Sequence, residues 1–192
     1  DIANIDVTTQ FMISVAAGIR TAQLEHWLNN KTAIVRCMPN TPALIGEGAT
    51  GLFANNLVNK SQRELAQSIM DAVGLTVWLS NEEDIDTVTA LSGSGPAYFF
   101  LLMEAMQEVA QELGLEQEVA KNLVYQTAIG ASQLARNAED SVVALRKKVT
   151  SPGGTTERAV DEFEAGNLRG LVRNALIAAK DRSLELSEDF SN

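Results

Sequence analysis

The stretch PAYFFLLMEAMQEVAQEL (96–113) reads as a single helix, with Pro96 suited to its first turn and Gly114 to its stop. Within it Tyr98 to Met103 are apolar at six consecutive positions, more than one face of a helix at 3.6 residues per turn can hide. Such a helix has to be buried nearly all round, so the fold must bring apolar cover to every side of it. The neighbouring helices can supply that cover as the core of a monomer. An interlocked dimer supplies it more easily, and a dimer is the expectation.

Two textures meet near residue 82. Before it, FMISVA (11–16), TAIVRC (32–37), TGLFA (50–54) and LTVWL (75–79) have the length and β-branched content of strands. Helical patterns at 21–30 and 61–73 lie between them, the second opening on Ser61 and Glu64 as a capping box and closing on Gly74 in a left-handed position. Alternating strands and helices imply an α/β layer. Beyond 82 the strand signals stop: Ser80 and Glu83 can cap a helix over 81–91, and helical patterns follow at 96–113, 116–136, 140–149, 156–165 and 167–187. The fold class expected is α/β followed by all-α.

Charge and composition narrow the function. A net charge of −10 repels a nucleic acid backbone or an anionic membrane surface, which excludes both as partners. No apolar run approaches the roughly 20 residues of a membrane span, and DIANIDVTTQ at the start has no leader pattern. The single cysteine, Cys37, and the single histidine, His26, leave no disulfide framework, no zinc site and no Ser/His/Asp constellation. A reducing compartment, the cytoplasm, is the expected location. Cys37 reads as a small apolar residue at a strand end, and His26 as a surface residue. Catalysis in this chain would rest on binding and positioning.

Four loops could do that. In VTSPGGTTERAV (149–160) Pro152 rejects helix, Gly153 and Gly154 permit positive φ, and Thr155 or Thr156 can cap the helix that follows. The loop is either a plain connector with a good cap or a seat for a small carboxylate, since a helix start offers free N–H groups and a dipole worth roughly 0.3–1 kcal/mol to an anion. Lys147 and Lys148 upstream suit the C-terminus of the preceding helix. LSGSGPAYF (91–99) joins glycine and serine to another helix start, but fits neither the dinucleotide fingerprint nor the phosphate loop. RCMPNTPALIGEGATG (36–51) leaves the C-terminal end of a strand, where open α/β sheets bind ligands. There Pro39 and Pro42 stiffen the backbone around Asn40, whose amide either makes a rigid turn or meets an uncharged polar group. VAAGI (15–19) ends a strand in small residues that let a flat ring approach.

Taken in order and spacing, VAAGI, RCMPNTP with EGATG, LSGSGPAYF and VTSPGGTTERAV resemble pyrroline-5-carboxylate reductase over essentially the whole chain. The resemblance implies a Rossmann domain binding NADPH or NADH, then a helical domain that interlocks with a second subunit, often with dimers gathered into rings. It divides the chain into 1–81, the C-terminal part of the dinucleotide-binding domain, and 82–192, an all-helical domain for dimerisation and substrate. By resemblance, Val15, Ala16, Ala17, Met38, Pro39 and Asn40 lie beside the nicotinamide, Glu82 is a further cofactor contact, and Ser92 to Pro96 closes the site. Ser151, Gly153, Gly154, Thr155 and Thr156 would bind the substrate, the amides around Gly154 and Thr155 holding its carboxylate and the Thr156 hydroxyl reaching the ring nitrogen as the catalytic group. The implied reaction is hydride transfer to the C=N carbon of Δ1-pyrroline-5-carboxylate, giving L-proline. No metal is implied. The family's first βαβ unit, with its pyrophosphate-binding glycines, is not found, so the expectation is a chain lacking its N-terminal part: a reductase with a latent site, or a non-catalytic dimerisation module. β-Hydroxyacid dehydrogenases are disfavoured because their lysine motif is not found.

Overall fold

The computed structural model of the chain describes residues 11–28 and 32–189. The opening DIANIDVTTQ and the end of the helix expected at 21–30 lie outside the described residues.

Four strands, β1 (Phe11–Ser14), β2 (Ala33–Met38), β3 (Gly48–Ala54) and β4 (Gly74–Trp78), form one sheet in sequence order. β1 and β2 are parallel, β2 and β3 antiparallel, and β3 and β4 parallel. The mixture follows from the connections. Helix α1 (Thr21–Trp27) carries the crossover from β1 to β2, and α2 (Lys60–Asp71) that from β3 to β4. Between β2 and β3 stands only a short 3-10 turn, Thr41–Ile45, which returns the chain beside the strand it left.

Strand alternation sorts β2 into two faces. Val35 and Cys37 point into a core with Leu52, Ala66 and Met70, where α2 covers the sheet. Arg36, on the opposite face, reaches Glu82.

Two sequence expectations are corrected in α2 and β4. The helix begins one residue before Ser61, and the capping box is Asn59 with Gln62: Gln62 N donates to Asn59 Oδ1 at 3.0 Å and Asn59 N to Gln62 Oε1 at 2.9 Å. Asn59 wins because its short amide reaches the third amide of the helix, while Glu64 pairs with Lys60 at 3.7 Å. Gly74 is not a helix stop but the head of β4. Its φ is +147°, and a Cβ there would run into the backbone of Gly48, its register partner at the head of β3.

Among the described residues no strand follows Trp78. The helix expected over 81–91 is shorter, α3 (Asp84–Val88), and continues into a π-helical turn, Thr89–Gly93, with no side-chain cap from Ser80 or Glu83. Then come α4 (Gly95–Glu112), α5 (Gln117–Asn137), α6 (Val142–Lys148), α7 (Thr155–Ala165) and α8 (Leu168–Asp189). Ser141 caps α6, and Arg146, Lys147 and Lys148 occupy its last turn, where cations suit the helix dipole.

Contacts divide the chain into two compact units: Asp1–Pro96 with Asn174–Asn192, and Ala97–Arg173. The texture changes at 82, where strands end, but compactness changes elsewhere. α3 and the π turn pack on β3, and the end of α8 returns to the sheet-bearing unit.

In the helical unit α4 is not buried as its sequence demands. Phe99, Phe100 and Leu101 are 62%, 62% and 67% exposed, and among the residues of α4 only Gly95 is buried. Among the described residues of the helical unit none covers these side chains, so α4 is not the buried core helix of that unit. No helix among the described residues is long and apolar enough to cross a membrane.

Candidate active-site loops

In the sheet-bearing unit β1 and β2 run parallel with Ser14 opposite Arg36, so the loops that follow both leave the same edge of the sheet. In the first, Val15 is 59% exposed and Ala16 N donates weakly to Ser14 Oγ at 3.4 Å. Gly18 then turns with φ +74°, packed against Leu186 of α8. In the second, both ends of the Asn40 amide are engaged: Nδ2 donates to Ser92 O at 3.0 Å, and Oδ1 accepts from Ala49 N at 2.9 Å. Asn40 thus makes the rigid turn, clamping the loop after β2 to β3 and to the π turn. Any hold by Asn40 on a ligand falls to its backbone.

The loop at 91–96 stands beside Met38. A Cβ on Gly93 would come within 3.0 Å of Met38 Cε. The chain enters this loop through a true π step, Ser94 N donating to Thr89 O at 2.8 Å, while the Thr89 and Ser92 hydroxyls bond to Ile85 O and Val88 O. π turns are frequent at functional sites because they re-aim a short stretch of backbone without ending the helix.

Glu82 has another employment than a free ligand group. Its carboxylate accepts from Thr21 N and Thr21 Oγ1, both at 2.7 Å, and from Arg36 Nη1 at 3.2 Å. It seals the start of α1 and neutralises Arg36, which is 1% exposed in the middle of the sheet. Asp86, fully buried, accepts from Ser183 Oγ at 2.6 Å and faces Arg20 at 3.5 Å. Local sequence rules single out none of Arg20, Arg36, Asp86 and Ser183. The one available signal was Arg36 itself, a charge inside the apolar strand AIVRCM, which requires a carboxylate elsewhere.

Gly46 to Gly51 spell G-x-G-x-x-G, but the run enters strand β3 and opens no helix, so it is not a pyrophosphate loop. Gly48 and Gly51 answer to packing instead: added Cβ atoms would lie 2.8 Å from Val73 O and 2.9 Å from a Val88 methyl.

The fourth loop lies in the helical unit. Gly153 has φ +72°, as only glycine does readily, whereas Gly154 is extended and is itself the N-cap of α7. Neither Thr155 nor Thr156 caps the helix, contrary to expectation, because they already stand at its first two positions. Gly154 N donates to Ser151 O at 3.0 Å, and Glu157 reaches back to accept from Gly153 N at 2.7 Å. The amides of Thr155 and Thr156 remain without helical acceptors, and both residues are exposed. The bond between Thr150 Oγ1 and Arg146 O, 2.7 Å, ties the loop to the end of α6. Further along α7, the hydrogen bonds from Arg169 hold the exposed Glu164 carboxyl below its usual range.

Cys37, 1% exposed, has its thiol pushed up to about 12 by burial, so it carries no thiolate near neutrality. His26 is exposed on α1. Among the described residues no three His, Cys, Asp or Glu side chains gather as a metal site.

The family model for pyrroline-5-carboxylate reductase dimerisation matches residues 82–186. The chain belongs to the pyrroline-5-carboxylate reductase family. It is 52% identical to the pyrroline-5-carboxylate reductase of Pseudomonas aeruginosa, over 94% of this chain and 66% of that protein. Against the reductase of Pasteurella multocida identity is 40%, covering 97% of this chain and 68% of the relative. The chain thus spans about two thirds of the length of these relatives. Among solved structures, a Coxiella burnetii pyrroline-5-carboxylate reductase superposes with a TM-score of 0.90 at 54% identity, covering 94% of this chain and 68% of that one. A Plasmodium falciparum pyrroline carboxylate reductase solved with NADP bound gives a TM-score of 0.89 at 32% identity, over 94% and 73%. The reductase family is one of oxidoreductases. Its fold accounts for the partial Rossmann-like sheet followed by helices.

Proposed function

We propose that this chain carries out, within its full polypeptide, the NAD(P)H-dependent reduction of Δ1-pyrroline-5-carboxylate to L-proline. The observation that supports it most is the loop at 151–156. Because Gly154 takes the N-cap, the hydroxyls of Thr155 and Thr156 are not drawn into capping, and their amides stand free at the positive end of α7. A small carboxylate fits that cradle, and the Thr156 hydroxyl is left to donate to, or accept from, a ring nitrogen beside it. Ser151 and the φ of Gly153 set the loop's path, so these residues hold and orient the substrate.

The nicotinamide loops fit a flat ring for a physical reason. Val15, Ala16 and Ala17 are small or exposed, and Met38, Pro39 and Asn40 leave the same sheet edge on a backbone that Asn40 locks. A reduced nicotinamide held there supplies the hydride for the C=N carbon. The protein's part is to orient, to exclude water and to keep a hydrogen-bonding group at the nitrogen. Glu82 acts at one remove by fixing Thr21 and the start of α1.

The chain pairs with a second copy through its helical unit, a reading supported by the uncovered Phe99, Phe100 and Leu101 and by the dimerisation family matched at 82–186. Dimers of this kind can gather into rings. The protein works in the cytoplasm, where a lone buried thiol such as Cys37 stays reduced. A second reading, a dimerisation module without turnover, is favoured by one fact: the matched family region is the dimerisation part. Oxidation of NADPH followed at 340 nm with pyrroline-5-carboxylate separates the two. Substrate-dependent oxidation with proline as product is expected, and a stable dimer that binds proline but shows no turnover with either NADPH or NADH would replace the first reading with the second.

A further inference from the structure

The last turns of α8 meet the loop that follows β1. Leu186 lies against Gly18, where a Cβ would come within 3.2 Å of Leu186 Cβ. Gln23 Nε2, in the first turn of α1, donates to Ser187 O at 3.0 Å. Deeper in, Ser183 Oγ donates to Asp86 Oδ1 at 2.6 Å, with Ser183 only 5% exposed and Asp86 not at all. The other oxygen of Asp86 faces Arg20 Nη2 at 3.5 Å, and Arg20 is the N-cap of α1. The loop between β1 and α1 is therefore braced in its middle by Leu186 and at its far end through Ser183, Asp86 and Arg20. At its start the loop is open: Val15 is 59% exposed, and the bond from Ala16 N to Ser14 Oγ is 3.4 Å long.

We propose that the C-terminal end of α8 is a strut for the 15–20 loop, and that Ser183 is a positioning residue for nicotinamide binding. The proposal rests on the reading of Val15, Ala16 and Ala17 as the nicotinamide loop. A loop exposed at Val15 and Ala17 opens locally at low cost, and any opening has to be reversed before a ring can bind. Ser183 touches neither ring nor substrate. It acts through Asp86, whose two oxygens join the strut to the N-cap of α1. Without the hydroxyl, the buried carboxylate keeps the long contact to Arg20 and the helix end loses the Ser183 bond to α3.

Hydrogen–deuterium exchange and NADPH titration on the full polypeptide that contains this chain test this with Ser183→Ala and Ser183→Thr, the latter keeping the hydroxyl. Leu186→Ala, at a half-buried position, serves as a milder second variant should Ser183→Ala not fold. Met70→Ala, a cavity in the core beneath α2, controls for general loss of stability. In Ser183→Ala the amides of 16–24 are expected to exchange about fivefold faster or more, those of 33–38 to stay unchanged, and the Kd for NADPH to rise about threefold or more. Ser183→Thr should restore both, Leu186→Ala should move both in the same direction, and Met70→Ala should move neither. Unchanged exchange at 16–24 overturns the strut. Faster exchange with an unchanged Kd overturns the positioning role. If the unmodified full polypeptide binds no NADPH, the nicotinamide reading fails and the positioning role with it, while the exchange data still decide whether α8 braces the loop.

Discussion

Arg36 and Glu82 show at the scale of single residues how a charge can sit inside a sheet. Arg36 is 1% exposed and Glu82 lies 3.2 Å away, itself held by the amide and hydroxyl of Thr21. Removing one partner of such a pair leaves the other charge uncompensated. Glu82→Ala is expected to cost about 3–5 kcal/mol in urea unfolding, and the double variant Arg36→Met with Glu82→Met distinctly less. Cys37 answers to burial alone: iodoacetamide at pH 8 should leave the native thiol unmodified and label it in urea, because its protonation persists up to about 12. Thr156 is the residue on which turnover depends in the proposed reaction. Thr156→Ala should lower kcat on pyrroline-5-carboxylate by about an order of magnitude or more, with Thr156→Ser retaining most of it; an unchanged steady-state rate would remove Thr156 from the mechanism.

Among elements, the heads of β3 and β4 are the most sharply specified. Gly48 and Gly74 pair across the parallel ladder, and Gly74 holds φ +147°, a conformation that side chains resist, with the Gly48 backbone filling the space a Cβ would need. Gly74→Ala should lower stability by about 3 kcal/mol, read as a drop in the urea midpoint at constant m-value. The loop into α7 follows a related logic. Gly153 supplies the positive φ and Gly154 the N-cap, and Glu157 closes the turn from inside, so threonine side chains are released from the capping work that sequence rules assign to them.

For the whole molecule the deciding fact is α4. Its apolar run Tyr98 to Met103 needs cover on all sides, yet Phe99, Phe100 and Leu101 are about two thirds exposed in the chain alone. An exposed apolar surface of that extent marks an interface. Light scattering at micromolar concentration should therefore return twice the chain mass, and Leu101→Glu should shift the protein towards monomer or aggregate; a strict monomer for the unmodified chain would contradict the proposed dimer.

Local rules determined much of this protein from its sequence. The four strands, the run of helices beyond residue 82 and the glycine loop at 151–156 were legible because periodicity, β-branched content and backbone-permissive residues act over a few positions. The family was legible too, since four loops in register carry more information together than any one alone. What only the tertiary structure decided depends on partners distant in sequence. The burial of Arg36 against Glu82, the binding of Asp86 by Ser183 and the locking of Asn40 onto Ser92 join residues 46, 97 and 52 positions apart. Likewise Gly74 reads locally as a helix stop, and only the register of β3 against β4 shows that it makes room for another backbone. Propensity describes what a residue permits, whereas these roles are set by which groups the fold desolvates together.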